Sequence, residues 1–245
     1  MSQRRRLDQI LVDRKLCPSR EKAQRLIRSG RVRVDGAVWD KPGQVVPEKA
    51  GLDVAGKDPF VGRGGEKLQA AIETFQISAA GRTCLDIGAS TGGFTDCLLQ
   101  NGAAVVTAVD VGSGQLHWDL RRDRRGDVRE KTNARNLRPD DFHPPPHLAV
   151  VDVSFISLTL ILPPVREVLA KQGDLVTLIK PQFEAGPKSV RKGGVVADPR
   201  VHARVIQGLR KFGTEILALQ WKGIVRSPIT GPAGNIEFLA WWKKP

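Results

Sequence analysis

Four charged residues stand at the margins of apolar stretches, where ionisable side chains are seldom buried without a partner: Lys67 at a helix start, Asp152 after "AVV", Lys180 after "LVTLI", and Glu237 inside "NIEFL". Two lysines with two carboxylates make either a pair of structural ion pairs or a catalytic constellation. A second pattern lies in "CLDIGASTGGFTDCLLQNGAAVVTAVDVG", residues 84–112. Asp86 is followed by Gly88, Ser90, Gly92, Gly93 and Phe94, and Asp110 comes 24 residues after Asp86. A strand running through a glycine turn into a helix aims backbone N–H groups and a positive helix end at the carboxyl edge of a sheet. An acid at the end of the next strand can accept both hydroxyls of a ribose. The string is not GxGxxG, because Ser90 stands where the second glycine would fall, and it lacks the Gly-Lys-Ser/Thr of a P-loop. An adenosine-bearing ligand is therefore expected, with a tight turn packed by glycines as the alternative.

The elements that must hold these residues follow from hydrophobic periodicity. From Gly64 onward, helix 65–75, strand 82–87, helix 92–101, strand 104–109, strand 147–152, helix 156–169, strand 174–179 and helix 200–212 succeed one another, and β-rich segments 215–226 and 235–242 close the chain. Alternating βα units imply an α/β fold with a mostly parallel sheet and an antiparallel finish. Residues 50–62 mix Gly, Pro and Asp without periodicity and read as a connection. The expected division is 1–58 for a small N-terminal domain, 59–63 for a linker and 64–245 for the larger domain.

The small domain is basic. Its first 58 residues hold 14 Lys or Arg against 8 Asp or Glu, nearly half of a formal net charge of +13. "RLDQILVDRKL" and "SREKAQRLIRSG" have helical spacing, the second with Ser19 as N-cap and Gly30 as stop; "RVRVDG" alternates Arg31 and Arg33 with valines before a hairpin turn. Arg4, Arg6, Arg20, Lys22, Arg25, Arg28, Arg31 and Arg33 thus form a candidate phosphate-binding face. The long segment 181–199 carries Lys188, Arg191 and Lys192 and is expected to be a lid that clamps RNA.

At 245 residues the chain accommodates one good core and a smaller appendage. Its charge points to an anionic partner, nucleic acid before a membrane surface. No apolar run reaches about 18 residues and no signal-peptide core follows the charged start, so a cytoplasmic protein without a membrane span is expected. Cys17, Cys84 and Cys97 show no metal-ligand spacing, and neither a disulfide nor a bound metal is expected. Tyr is absent, which leaves Phe, Trp, His and Arg for base stacking.

"SREKAQRLIRSGRVRVDG" resembles the S4-type RNA-binding domain. The glycine string, with "VGRGGEKL", "KTNARNL", "VVDVSFISL", "LIKPQFEAG", "KGGVVADP" and "SPITGPAGNIEFL", resembles the TlyA-type family, which joins an S4 domain to an FtsJ-like ribose methyltransferase. Ser113 and Gly62 depart from that pattern, where Tyr and Ser are usual. The resemblance implies a Rossmann-like fold, S-adenosyl-L-methionine as cofactor, and methylation of a ribose 2′-hydroxyl, with a cytidine of ribosomal RNA, large subunit first, as target. It maps Lys67, Asp152, Lys180 and Glu237 onto a Lys-Asp-Lys-Glu tetrad. Lys180 is then the base, with Lys67 as the like charge that frees its proton site, and Asp152 and Glu237 as orienting groups. Asp152 also meets the cofactor amino group, and Asn133 is a candidate for the adenine edge, an Asx turn being the alternative. "DVSF" lacks the Asn/Asp-Pro-Pro-aromatic run of amino-group methyltransferases, and no cysteine stands where base C5 methylation would need one. The competing expectations are a non-catalytic ribosome-assembly factor and a membrane-lytic haemolysin. The partner is ribosomal RNA or a ribosomal subunit, and a monomer is expected.

Overall fold

Strands buried on both faces read as continuous apolar runs, and "LAVV" and "DLVTLI" become the centre of a sheet for that reason. The computed structural model describes residues 4–28, 30–54, 56, 59–191 and 193–245. Two units result, Met1–Pro59 and Phe60–Pro245.

In the first unit, β1 (Arg4–Arg6) leads into α1 (Leu7–Asp13) and α2 (Arg20–Arg28), followed by β2 (Val32–Val34), β3 (Ala37–Val38), β4 (Val45–Pro47) and β5 (Leu52–Val54). β2 pairs antiparallel with β3 and β5, and β1 with β4. Leu7, Ile10, Leu11, Ala23, Leu26, Ile27, Val32 and Val34 meet in one core. β5 corrects the reading of 50–62 as a plain connection: its three residues bond to β2, a long-range pairing that composition cannot reveal. Phe60 is buried in the core of the second unit, and Val61 N–H donates to Asp96 Oδ2 at 2.7 Å, so part of the expected linker 59–63 is held by that unit.

The second unit contains α3 (Gly64–Phe75), β6 (Thr83–Ile87), α4 (Gly93–Gln100), β7 (Val105–Val109), α5 (Trp118–Arg122), β8 (Gly126–Arg129), β9 (Leu148–Val151), α6 (Leu162–Val168), β10 (Asp174–Ile179), α7 (Pro181–Glu184), α8 (Pro199–Lys211), β11 (Gln220–Arg226) and β12 (Phe238–Lys243). Its seven strands lie in the order β11-β12-β10-β9-β6-β7-β8; β10, β9, β6, β7 and β8 run parallel to one another, and β12 lies antiparallel to both β10 and β11. Alternate residues feed the two faces. Cys84, Val106, Val150 and Val176 pack with α3 and α4, whereas Leu85, Ile87, Ala149, Val151 and Leu175 pack with α6 and α8.

Three expectations shift. "GDVR" becomes an edge strand through pairing with β7 although its own residues carry no strand signal. The expected helix 156–169 splits into a 3-10 turn, Leu158–Leu160, and α6, since Pro163 and Pro164 fit only a first helical turn. The segment 215–226 begins as a wide helical turn, Phe212–Ile216, and extends only from Gln220.

Chain order reverses between β6 and β9, because β7 and β8 build outward on one side and β9 and β10 on the other. Ligands of open α/β sheets bind at such a switch, outside the carboxyl ends of the strands.

Candidate active site

Each of the four charged residues reaches this edge from a different element. Asp152 directly follows β9, Lys180 directly follows β10, and Glu237 precedes β12, which places it across from Lys180 in the antiparallel register that pairs Ile179 with Phe238. Lys67 comes from the first turn of α3.

They meet as two pairs. Lys67 Nζ donates to Glu237 Oε2 at 2.5 Å, with residue exposures of 6% and 1%. Lys180 Nζ stands 2.5 Å from Asp152 Oδ1 and donates to Ser154 Oγ at 2.8 Å. The Asp152 contact is one of charge only; Oδ1 takes no directed hydrogen bond. Each lysine therefore has its own carboxylate. Glu237 lies against the Lys67 ammonium and Asp152 against that of Lys180, the two carboxylates expected to oppose the like-charge effect of Lys67 on Lys180.

Among the described residues, the buried acceptors without a partner are Asp86 Oδ1, Asp152 Oδ1, Gln182 Oε1 and Glu237 Oε1. Buried acceptors normally find donors, and three of these belong to residues singled out in the sequence. Gln182 went unnoticed there because only burial distinguishes it from any loop glutamine. Asp86 has one hydrogen-bonded oxygen, reached by Thr95 Oγ1 at 2.6 Å. Burial pushes its carboxyl up to about 7, against the Thr95 hydrogen bond and with the charges of Asp152 and Asp110.

The glycine turn does two jobs. A Cβ on Gly88 would lie 2.3 Å from the Asp152 carbonyl oxygen, and one on Gly92, at φ +96°, would lie 2.2 Å from Leu120 Cδ1. Gly93 sits against the backbone of Gly62–Gly65, and Phe94 is buried beside Gly64. At Gly88, Gly92 and Gly93 the missing Cβ thus lets protein pack closely against the turn, and Phe94 packs with it. Ser90 faces the ligand edge: its N–H donates to Asp110 Oδ2 at 2.8 Å, and Gly112 N–H donates to Oδ1 at 2.7 Å, which fixes the carboxylate. Asn133 forms the Asx turn, Oδ1 accepting from Arg135 N–H at 3.1 Å.

Two exposed apolar residues at this edge escaped the sequence reading. Val111, directly after Asp110, is 70% exposed. Phe155 is 90% exposed at φ +63°, and its ring lies 4.9 Å from that of Phe183. A bulky residue in the left-handed region at a strand end is the signal that a backbone, but not a sequence, displays. Cys84 and Cys97 are buried, which pushes both thiols up to about 12 and leaves them unsuited to nucleophilic work.

Segment 181–199 is not a structureless loop. It holds α7 and a 3-10 turn; Glu184 accepts from Leu158 N–H at 2.8 Å and Ser157 Oγ at 2.7 Å, and Val196 N–H donates to Asn235 Oδ1 at 3.0 Å. Lys188 and Arg191 are exposed; Lys192 lies outside the described residues.

The basic face of the first unit is partly used by the fold. Arg6 and Arg20 both bind the buried Asp8, Arg4 reaches the Val45 carbonyl, Arg31 the Gly56 carbonyl and Arg33 the Gly36 carbonyl. Lys22, Arg25 and Arg31 cluster: partial burial and then the charges of Arg25 and Arg31 lower the Lys22 pKa. Arg28 is exposed and has no ion pair among the described residues. Within those residues, no group of His, Cys, Asp or Glu could hold a metal, and no helix is long and apolar enough to cross a membrane.

Comparison with known proteins agrees with this division. The FtsJ-like methyltransferase family matches residues 60–244 and the S4 domain matches residues 5–51. A 16S/23S rRNA (cytidine-2′-O)-methyltransferase, TlyA, of Mycobacterium tuberculosis is 46% identical over 245 residues, 98% of this chain and 90% of that protein. A candidate rRNA methyltransferase, YqxC, of Bacillus subtilis is 49% identical over 240 residues, 97% of this chain and 85% of the relative. The solved structure of a candidate hemolysin of Streptococcus thermophilus superposes with a TM-score of 0.77 at 42% identity, covering 100% of this chain and 90% of that one. With the sheet order, the switch-point site and these matches in one chain, the protein belongs to the TlyA-type group of the FtsJ-like methyltransferase family, with an S4 domain ahead of the catalytic fold.

Proposed function

We propose that the chain transfers a methyl group from S-adenosyl-L-methionine to a ribose 2′-hydroxyl of RNA, with a cytidine of ribosomal RNA as the target nucleoside. The observation that carries this reading is Lys180, held at the switch point by Asp152 and Ser154 and facing Glu237 across the strand register.

The residues at the edge fit the cofactor. Asp110, fixed by two backbone N–H groups, retains lone pairs for ribose hydroxyls, and exposed Val111 offers an apolar face for the adenine. Asp86 Oδ1 is an unmatched acceptor suited to an ammonium group, and Asp152 Oδ1, which takes no directed hydrogen bond, already faces that of Lys180. When bound, the cofactor supplies a methyl on a sulfonium.

Displacement at that methyl carbon by the 2′-oxygen would neutralise the sulfonium, so the residues of the site would have to align the hydroxyl more than stabilise an anion. Lys180 Nζ, acting as the neutral amine, takes the proton that the hydroxyl releases and becomes the ammonium that faces Asp152. Ser154 Oγ, accepting from Nζ, fixes its direction, Asp152 holds it by charge, and Lys67 and Glu237 form a second, buried pair. Phe155 presents an open ring to a target base, and the cationic face of the first unit gathers phosphate.

An RNA carrying a single 2′-deoxy nucleotide at the mapped target tests the reading. No methyl should be transferred to it, while the matched all-ribose RNA accepts one. Methylation of the deoxy substrate would replace this reading with a base-modifying one.

A further inference from the structure

The site so far described leaves an aromatic and cationic surface unused on the far side of the glycine turn. Trp118 is 61% exposed, and the indole is a group that folding normally covers. His117 stacks beside it, ring centroids 6.3 Å apart and 29° from parallel, and the Arg122 guanidinium lies 5.7 Å from the Trp118 ring centre.

We propose that Trp118, with His117 and Arg122, is a second RNA-binding surface, which takes one unpaired base by stacking while Arg122 and Arg124 meet its phosphates. The proposal rests on the chain acting on RNA.

The surface is built rigidly. Leu116 and Leu120 are buried beneath it against Gly92, Arg121 Nε donates to the Leu116 carbonyl at 3.0 Å, and the Arg121 guanidinium pairs with Glu130. His117 N–H donates to the Thr91 carbonyl at 3.1 Å, which ties the ring pair to the glycine turn itself. A base held on Trp118 therefore lies next to the glycine turn.

Charge selects the occupant. Asp123 is taken by Arg125, and Asp119 lies beside His117, whereas Arg122 and Arg124 have no ion pair or hydrogen bond among the described residues. An apolar ring with the Arg122 guanidinium beside it, and the exposed Arg124 two residues further along the chain, fits a nucleotide, which brings a π-face and an anion together. A base inside a duplex is already stacked on both faces, so the surface suits an unpaired one.

The test uses the full chain with two fluorescein-labelled RNAs, a hairpin with an unpaired loop and a fully paired duplex, read by anisotropy, with S-adenosyl-L-methionine affinity measured by calorimetry. Trp118→Ala should weaken hairpin binding about tenfold, within the range for one base stacked on an aromatic side chain, and leave duplex and cofactor affinities unchanged. Trp118→Phe should restore most of the loss. Arg122→Ala should lower the log–log salt slope on the hairpin by about 0.7. Unchanged hairpin affinity in Trp118→Ala overturns the proposal. A parallel loss of cofactor affinity assigns the indole to the cofactor pocket instead, and a loss seen only with assembled ribosomal subunits assigns it to a protein partner. If the unmodified chain methylates RNA while Trp118→Ala binds it equally well, only this surface falls; if the unmodified chain neither binds nor methylates RNA, the proposed function falls with it.

Discussion

Asp8 in the first unit and Asp86 in the second are both wholly buried carboxylates, and their surroundings are opposite. Arg6 reaches Asp8 through two nitrogens at 3.0 and 2.9 Å, Arg20 Nε at 3.0 Å and Gln24 Nε2 at 2.9 Å. Burial alone would push the Asp8 carboxyl up, but the hydrogen bonds from Arg6, Gln24 and Arg20 outweigh it and hold the group well below the usual range. Asp86 has the Thr95 hydroxyl and an unmatched Oδ1, and burial carries it up to about 7. A fully satisfied carboxylate organises its own unit. An unsatisfied one, close to other unmatched acceptors at a sheet switch point, is kept at a cost in stability for a ligand to complete.

The comparison breaks most directly at Asp86. Its proton is bound more tightly in the fold than in the unfolded chain, so stability is lost as pH rises from about 4 through about 7. Asp86→Asn should raise unfolding stability at pH 8 by roughly 4 kcal/mol, with the gain vanishing near pH 4 and cofactor affinity reduced. Denaturant melts at the two pH values check this, and an equal change at both would make the burial penalty the wrong explanation.

Lys180 sharpens the site half. Lys180→Met keeps the aliphatic length but accepts no proton, so methyl transfer should fall at least ~100-fold while cofactor and RNA affinities hold. Lys180→Arg should do no better, because guanidinium stays charged. Full activity in Lys180→Met would reduce the four charged residues to two structural ion pairs.

Asp8 tests the structural half. Asp8→Asn should cost about 2 kcal/mol, through loss of charge-assisted hydrogen bonds from two arginines. The sign is opposite to that of Asp86: the Asp8 contribution is present above about pH 4 and is lost as pH falls through the lowered folded value, so the difference between the two proteins should close in acid. Hydrogen exchange at α1 and α2 amides, followed against pH, would show it.

The smallest effect separates the arginines of one face. Arg28→Ala should lower the salt slope of RNA binding by about 0.9 on paired RNA without altering the melt. Arg6→Ala should lower the melting temperature as well, because Arg6 serves Asp8.

Much of the second unit was legible because its signals are local. Apolar runs of strand length, the glycine turn after "CLDI" and the acid ending β7 announce a parallel α/β sheet with a ligand edge, and the ends of β9 and β10 announce Asp152 and Lys180. Short charged β8 and the pairing of β5 with β2 were hidden, because both exist only through strands that receive them.

Which residue types stand at the ends of which elements is thus written locally in the chain: periodicity, turn chemistry and net charge need no partner to be read. Tertiary structure alone decided who meets whom. It joined Lys67 to Glu237 across 170 residues, gave Lys180 to Asp152 and Ser154, spent Arg6 and Arg20 on Asp8, and packed protein against the missing Cβ of Gly88, Gly92 and Gly93. The reason is that a buried charge or a missing Cβ is selected by the particular atoms within a few ångströms, and chain folding brings those from any distance along the sequence.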